Sequence, residues 1–103
     1  MENKKDIIKM FVNNESISEK RTLKGSNLIA YYISGTQKRV LKNYNTIIAL
    51  IDANKNYNKI IINKTHYSQT TSRNQNLLRF YATQSGCEVE EIEEREIYQR
   101  LED

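Results

Sequence analysis

Two short runs in the middle of the chain leave no side free for water. In Thr46-Ile47-Ile48-Ala49-Leu50-Ile51-Asp52 and in Lys59-Ile60-Ile61-Ile62-Asn63 the apolar residues follow one another instead of alternating with polar ones. Their length and β-branched content favour strands over helices. Successive side chains of a strand point to opposite faces, so Ile47, Ala49 and Ile51 are expected on one side and Ile48 and Leu50 on the other. A sheet containing such strands must be covered on both faces. One cover is a helix downstream; the other is expected to be an N-terminal helix or a second subunit, which makes the chain a candidate homodimer.

The remaining pattern supplies the rest of an α+β fold. Leu28-Ile29-Ala30-Tyr31-Tyr32-Ile33 reads as a strand, closed by Ser34-Gly35-Thr36-Gln37, and Lys38 to Tyr44 is its return. With the two apolar runs and an asparagine-rich turn over Ala53 to Asn58, these segments predict an antiparallel meander of four to five strands, the last running from Cys87 to Ile92. Ile7, Ile8, Phe11 and Val12 recur at helical spacing within Asn3 to Asn13, and the polar stretch Asn14 to Gly25 reads as a connector. Ser72 followed by Gln75 fits a capping box, which places the main helix over about Arg73 to Gln84, ending near Gly86. Its apolar stripe is Leu77, Leu78, Tyr81 and Ala82. At 100° per residue Asn74 falls inside that stripe and Phe80 outside it, so both are out of pattern. Ile97 and Leu101 share one face of a short terminal helix. The chain is read as a single domain over residues 1–103: N-terminal helix and connector (1–25), α+β core (26–92), and acidic helix or tail (93–103).

A compact domain of 103 residues has a radius of gyration of roughly 13 Å and one modest core. Little room is expected for a cavity of the ~300 Å³ or more that small-molecule sites need, which favours shallow binding surfaces over catalysis. The lone Cys87 excludes an internal disulfide, and the apolar patch after the N-terminus is too short and interrupted for a signal peptide or a membrane span. A cytoplasmic protein without membrane association is therefore expected. Net charge is +3, unevenly distributed. Residues 1–85 hold fourteen Lys or Arg against five Asp or Glu, whereas residues 86–103 hold two against eight. A basic body of this kind attracts phosphate backbones or acidic protein surfaces.

Few residues point to chemistry. One His and one Cys do not make a metal centre, so neither metal nor cofactor is expected. His66 and Ser68, two residues apart, are the simplest nucleophile and base, but no third member and no elbow motif accompany them, and no catalytic residue is assigned. Gly25, Gly35 and Gly86 are isolated, so no phosphate-binding loop is present. What stands out is Thr65-His66-Tyr67-Ser68-Gln69-Thr70-Thr71-Ser72-Arg73, a dense polar run entering the main helix. Its hydroxyls and Arg73, at a helix start with unpaired N–H groups, suit an anion or a polar partner surface. An elaborate helix cap explains the same residues without function. Tyr31, Tyr32, Tyr44 and Tyr67 offer stacking faces near Lys38, Arg39 and Lys42, although half-buried tyrosines in strands ordinarily pack.

Tyr44-Asn45-Thr46-Ile47-Ile48-Ala49, together with Tyr67-Ser68-Gln69-Thr70-Thr71-Ser72-Arg73, resembles a group of small uncharacterised phage and prophage proteins. That group shares a Tyr-Asn-Thr-x-Val/Ile-Ala strand and a Tyr-Ser-x-Thr-Thr-Ser segment. The resemblance covers residues 26–92 and implies a phage-type protein acting on the host, with inhibitors of bacterial defence such as anti-CRISPR proteins among the candidates. The reading that follows is a non-enzymatic interaction protein that binds a host protein or nucleoprotein complex through Tyr67, Ser68, Thr70, Thr71, Arg73 and Phe80. The alternative is direct binding of single-stranded or duplex nucleic acid through Lys38, Arg39, Lys42, Tyr44 and Arg73.

Overall fold

The computed structural model describes residues 3–13, 23–25 and 27–102. Its elements in chain order are α1 (Lys4–Val12), β1 (Leu23–Gly25), β2 (Leu28–Tyr32), β3 (Lys38–Asn43), β4 (Thr46–Asp52), α2 (Ala53–Asn56), β5 (Lys59–Asn63), α3 (Gln69–Gln84), β6 (Glu88–Ile92) and α4 (Glu94–Glu102). The fold is α+β, as expected, with one six-stranded sheet in the sequential order β1-β2-β3-β4-β5-β6. Six strands replace the expected four to five, because Leu23–Gly25, read as the end of a connector, pairs with β2. The rest of that connector, residues 14–22, lies outside the described residues.

The sheet is not a pure meander. β1 to β5 pair antiparallel, but β6 runs parallel to β5. α3 carries the chain back along the sheet before β6 begins, and a returning helix makes the two strands it joins point the same way. Local turn chemistry is as read: Gly35 sits at φ +80 in the β2–β3 turn, and Thr36 N–H donates to Ile33 O.

The faces divide differently from simple alternation. The β3–β4 register shifts between Leu41 and Lys42, so that Leu41 pairs with Ala49 and Lys42 with Ile47, leaving Ile48 as an extra residue. Such a bulge resets which side the following residues face. Ile48, Ala49 and Ile51 therefore join one core cluster, and Ile47 and Leu50 join the other. This corrects the expected grouping of Ile47 with Ala49 and Ile51.

Both faces are covered by helices of the same chain. α1 contributes Ile7, Ile8, Phe11 and Val12, and α3 contributes Leu78 and Ala82, to the cluster that also holds Leu28, Leu41, Ile60 and Ile62. On the opposite face Ile97 of α4, with Leu101 partly buried, packs on Val40, Ile47, Leu50, Ile61 and Ile92. The second cover is thus α4 and not α1, which lies with α3 on the first face. No described helix is long and apolar enough to cross a membrane.

Candidate functional site

The strand-to-helix junction is built around buried carboxamides. Asn63, at the end of β5, is completely buried. Its Nδ2 donates to Ile47 O and to Tyr67 Oη, both at 2.9 Å, and its Oδ1 accepts from Thr65 N–H at 3.0 Å. Gln75, 3 % exposed, donates through Nε2 to Asn63 O at 2.6 Å and to Thr65 O at 3.0 Å. The irregular backbone between β5 and α3 has no ladder to satisfy it, and these two side chains take the ladder's place. Burial pushes the Tyr67 phenol above its ordinary pKa, against the hydrogen bond it receives from Asn63.

Ser68, not Ser72, caps the helix. Its Oγ accepts from Thr71 N–H at 3.2 Å, so α3 starts at Gln69, four residues before the expected Arg73. The capping box of Ser72 with Gln75 is not formed, since Gln75 is turned inward. Thr71 is 4 % exposed, and its Oγ1 donates to Asn43 Oδ1 at 2.8 Å, fastening the helix start to the end of β3. Thr65 links the junction to α4: its Oγ1 accepts from Glu94 N–H and donates to Glu93 Oε2.

Of the six residues read as a partner surface, Thr71 is therefore enclosed and Tyr67 half-buried, with its hydroxyl engaged. Ser68 is exposed but occupied as the cap. Thr70, Arg73 and Phe80 are on the surface, and Phe80 is 54 % exposed with its ring set edge-on to Tyr81 at 5.3 Å. Arg73 and Phe80 lie about two turns apart on the outward side of α3, about 10 Å from one to the other, with Leu77 between them partly buried against the core. The basic set divides. Lys38 is 6 % exposed and its Nζ donates to Leu101 O at the end of α4. Arg39 lies over the Tyr32 ring at 5.6 Å, and alternation along β3 puts it on the opposite face from Lys38 and Lys42. Tyr44 is in the β3–β4 turn and Arg73 on α3, so the five do not form one surface.

His66 is exposed, and its Nδ1 lies 3.4 Å from Ser72 Oγ; it does not meet Ser68, whose hydroxyl is used in the cap. Burial raises the Cys87 thiol above its ordinary pKa, which favours the thiol over the thiolate. Among the described residues no three His, Cys, Asp or Glu side chains converge on one point.

Sequence reasoning missed Asn43, Asn63 and Gln75, which hold the junction in place. The available signal was an asparagine closing each of β3 and β5. Asn74, singled out for standing in the apolar stripe, is indeed buried at 2 % exposure.

The chain belongs to DUF8033, a family of unknown function, whose model matches residues 5–97. No curated protein and no solved structure gives a significant match.

Proposed function

We propose that this DUF8033 member is a non-enzymatic interaction protein of the phage type that binds and inhibits or modulates a host protein or nucleoprotein complex, with inhibition of bacterial defence among the candidate roles. The reading is supported above all by Phe80. An aromatic ring left 54 % exposed on a well-packed helix, two turns from an exposed arginine, has the composition of a contact centre. Thr70, Arg73 and Phe80 present themselves from a helix whose start is locked by the Ser68, Thr71 and Asn43 bonds, so little ordering is needed on docking. The phage and anti-defence parts rest on the motif resemblance of residues 44–49 and 67–73.

The test is capture from bacterial lysate, with and without nuclease, using the wild-type chain, Phe80→Ala and Arg73→Glu. Both positions are on the surface, so the variants fold. A host protein held by the wild type and lost with Phe80→Ala is the expected result. Captured material that both variants retain, or that nuclease removes, would overturn the reading; the second outcome favours the nucleic-acid alternative.

A further inference from the structure

Chain length argued against a cavity, yet one of about 490 Å³ opens where the first turns of α1 and α3 meet the start of β2 and the end of β3. This lies within the ~300–1,000 Å³ range of small-molecule sites. Its walls include Lys4, Lys5, Asn27, Leu28, Thr70 and Asn74. Much of the polar lining is already engaged. Asn3 Oδ1 caps α1 by accepting from Asp6 N–H. Asn43, also in the wall, accepts from Thr71 and donates to Asn27 O, while Asn27 Nδ2 donates to Tyr44 Oη.

Asn74 is the exception. It is 2 % exposed, and its Oδ1 has no hydrogen-bond partner. Native interiors hold few such atoms, and each costs about 1–3 kcal/mol. The position lies among Leu77, Leu78 and Ala82, where leucine would pack without that cost. The unused carboxamide therefore marks a place where something else supplies the missing donor.

We propose that this cavity binds a nucleoside monophosphate unit, with the Asn74 carboxamide meeting the edge of the base and Lys4, Lys5 and the N-terminus of α1 holding the phosphate. A carboxamide offers an acceptor beside a donor, and the edge of a nucleobase offers the complementary pair, as when asparagine reads adenine. A fully ionised oxyanion has no hydrogen to give and leaves Oδ1 unpaired. The phosphate finds two ammonium groups at the first turn of a nine-residue helix, where unpaired N–H groups and the helix dipole favour an anion. Neither lysine forms an ion pair among the described residues. Next in sequence to the lining residue Asn43 stands Tyr44, 56 % exposed and bonded to the lining through Asn27, with the φ of +56 that a non-glycine residue rarely adopts. Its ring gives a stacking face of the kind that nucleotide sites use. The cavity shares Thr70 with the docking surface but neither Arg73 nor Phe80, so the Asn74 and Phe80 variants test the two readings separately.

The test is thermal unfolding and calorimetry of the full chain with AMP, GMP, CMP and UMP. Inorganic phosphate and a 5′-phosphorylated single-stranded hexanucleotide are the parallel arms. At about ten times its Kd a bound nucleotide raises Tm by about 5 to 10 °C. Asn74→Leu raises the Tm of the free protein and abolishes the nucleotide shift. The surface variant Lys4→Glu/Lys5→Glu, which leaves the core intact, weakens nucleotide binding at least tenfold. Tighter binding of the hexanucleotide than of free nucleotides assigns the unit to a strand terminus; the reverse order assigns it to a free nucleotide. No shift with any nucleotide or with the hexanucleotide, an equal shift with inorganic phosphate, or a shift that survives both variants overturns the proposal.

Discussion

Asn63 answers three backbone and side-chain demands with one carboxamide: the carbonyl of Ile47, the hydroxyl of Tyr67 and the amide of Thr65. All lie where β5 gives way to irregular chain, and Gln75 completes the arrangement from α3 by bonding Asn63 O and Thr65 O. Removing one partner of a buried hydrogen bond costs more than the bond itself is worth, because the other partner remains desolvated. Asn63→Ala is therefore expected to lower stability by about 3 kcal/mol and Tm by about 15 °C. Thermal unfolding followed by circular dichroism measures this, and a loss below about 1 kcal/mol would show that water replaces the side chain without difficulty. The contrast with Asn74 is instructive. Both asparagines are buried, but one has its hydrogen bonds made and the other, in the wall of a cavity, has a carbonyl oxygen without a partner.

Between elements, charge does what the composition alone left open. The acidic end of the chain folds back as β6 and α4, and its glutamates meet cations of the basic body: Lys59 with Glu88 and Glu90, and Arg79 with Glu91. Glutamates along β6 also leave that edge strand poorly suited to pairing with another chain. Glu90 is the centre, gripped by both nitrogens of Arg100 from α4 and by Lys59 Nζ at 2.6 Å. The hydrogen bond from Arg100, then that from Lys59, holds the Glu90 carboxyl below its ordinary pKa. A lowered carboxyl pKa adds stability that is present above the ordinary carboxylate value and lost as pH falls through the lowered one. Lys59 is raised in turn, chiefly by its bond to Glu90, so its share persists at neutral pH and is lost only in strong alkali. Urea midpoints taken from about pH 6 down to about pH 3 should fall more steeply for the wild type than for Glu90→Gln. Parallel curves would mean that solvent screens the triad and that it contributes nothing measurable.

On the scale of the whole molecule, the radius of gyration is 12.1 Å, and a sheet one layer thick separates two cores. The larger core is sealed by α1 and α3, and the smaller by α4, a nine-residue helix whose one fully buried side chain is Ile97. So much rests on Ile97 that Ile97→Ala should cost about 2 to 4 kcal/mol, with a cavity left over Leu50 and Ile61. The same variant should associate at high concentration, because the exposed sheet face then needs another cover. Gel filtration with light scattering, beside thermal unfolding, measures both; an unchanged Tm would show that α4 is a loosely attached appendage.

Period and turn chemistry alone determined the existence of β2 to β5, with β4 and β5 bounded to the residue, and the inward stripe of α3 with Asn74 in it and Phe80 outside. These features depend on interactions within a few positions of each other, such as alternation, β-branching and a glycine free to take positive φ. Tertiary structure decided the rest. The parallel setting of β6 and the cover supplied by α4 depend on segments distant in sequence. The Ser72 capping box is lost because Gln75 is drawn to Asn63 O and Thr65 O, and the bulge at Ile48 is a matter of β3–β4 pairing that simple alternation does not reveal. For the candidate site, the sequence marked the segment 65–73 but not which of its hydroxyls face inward. That depended on whether Asn43, far upstream of Thr71, would come within hydrogen-bond reach, and only the packed sheet brings it there.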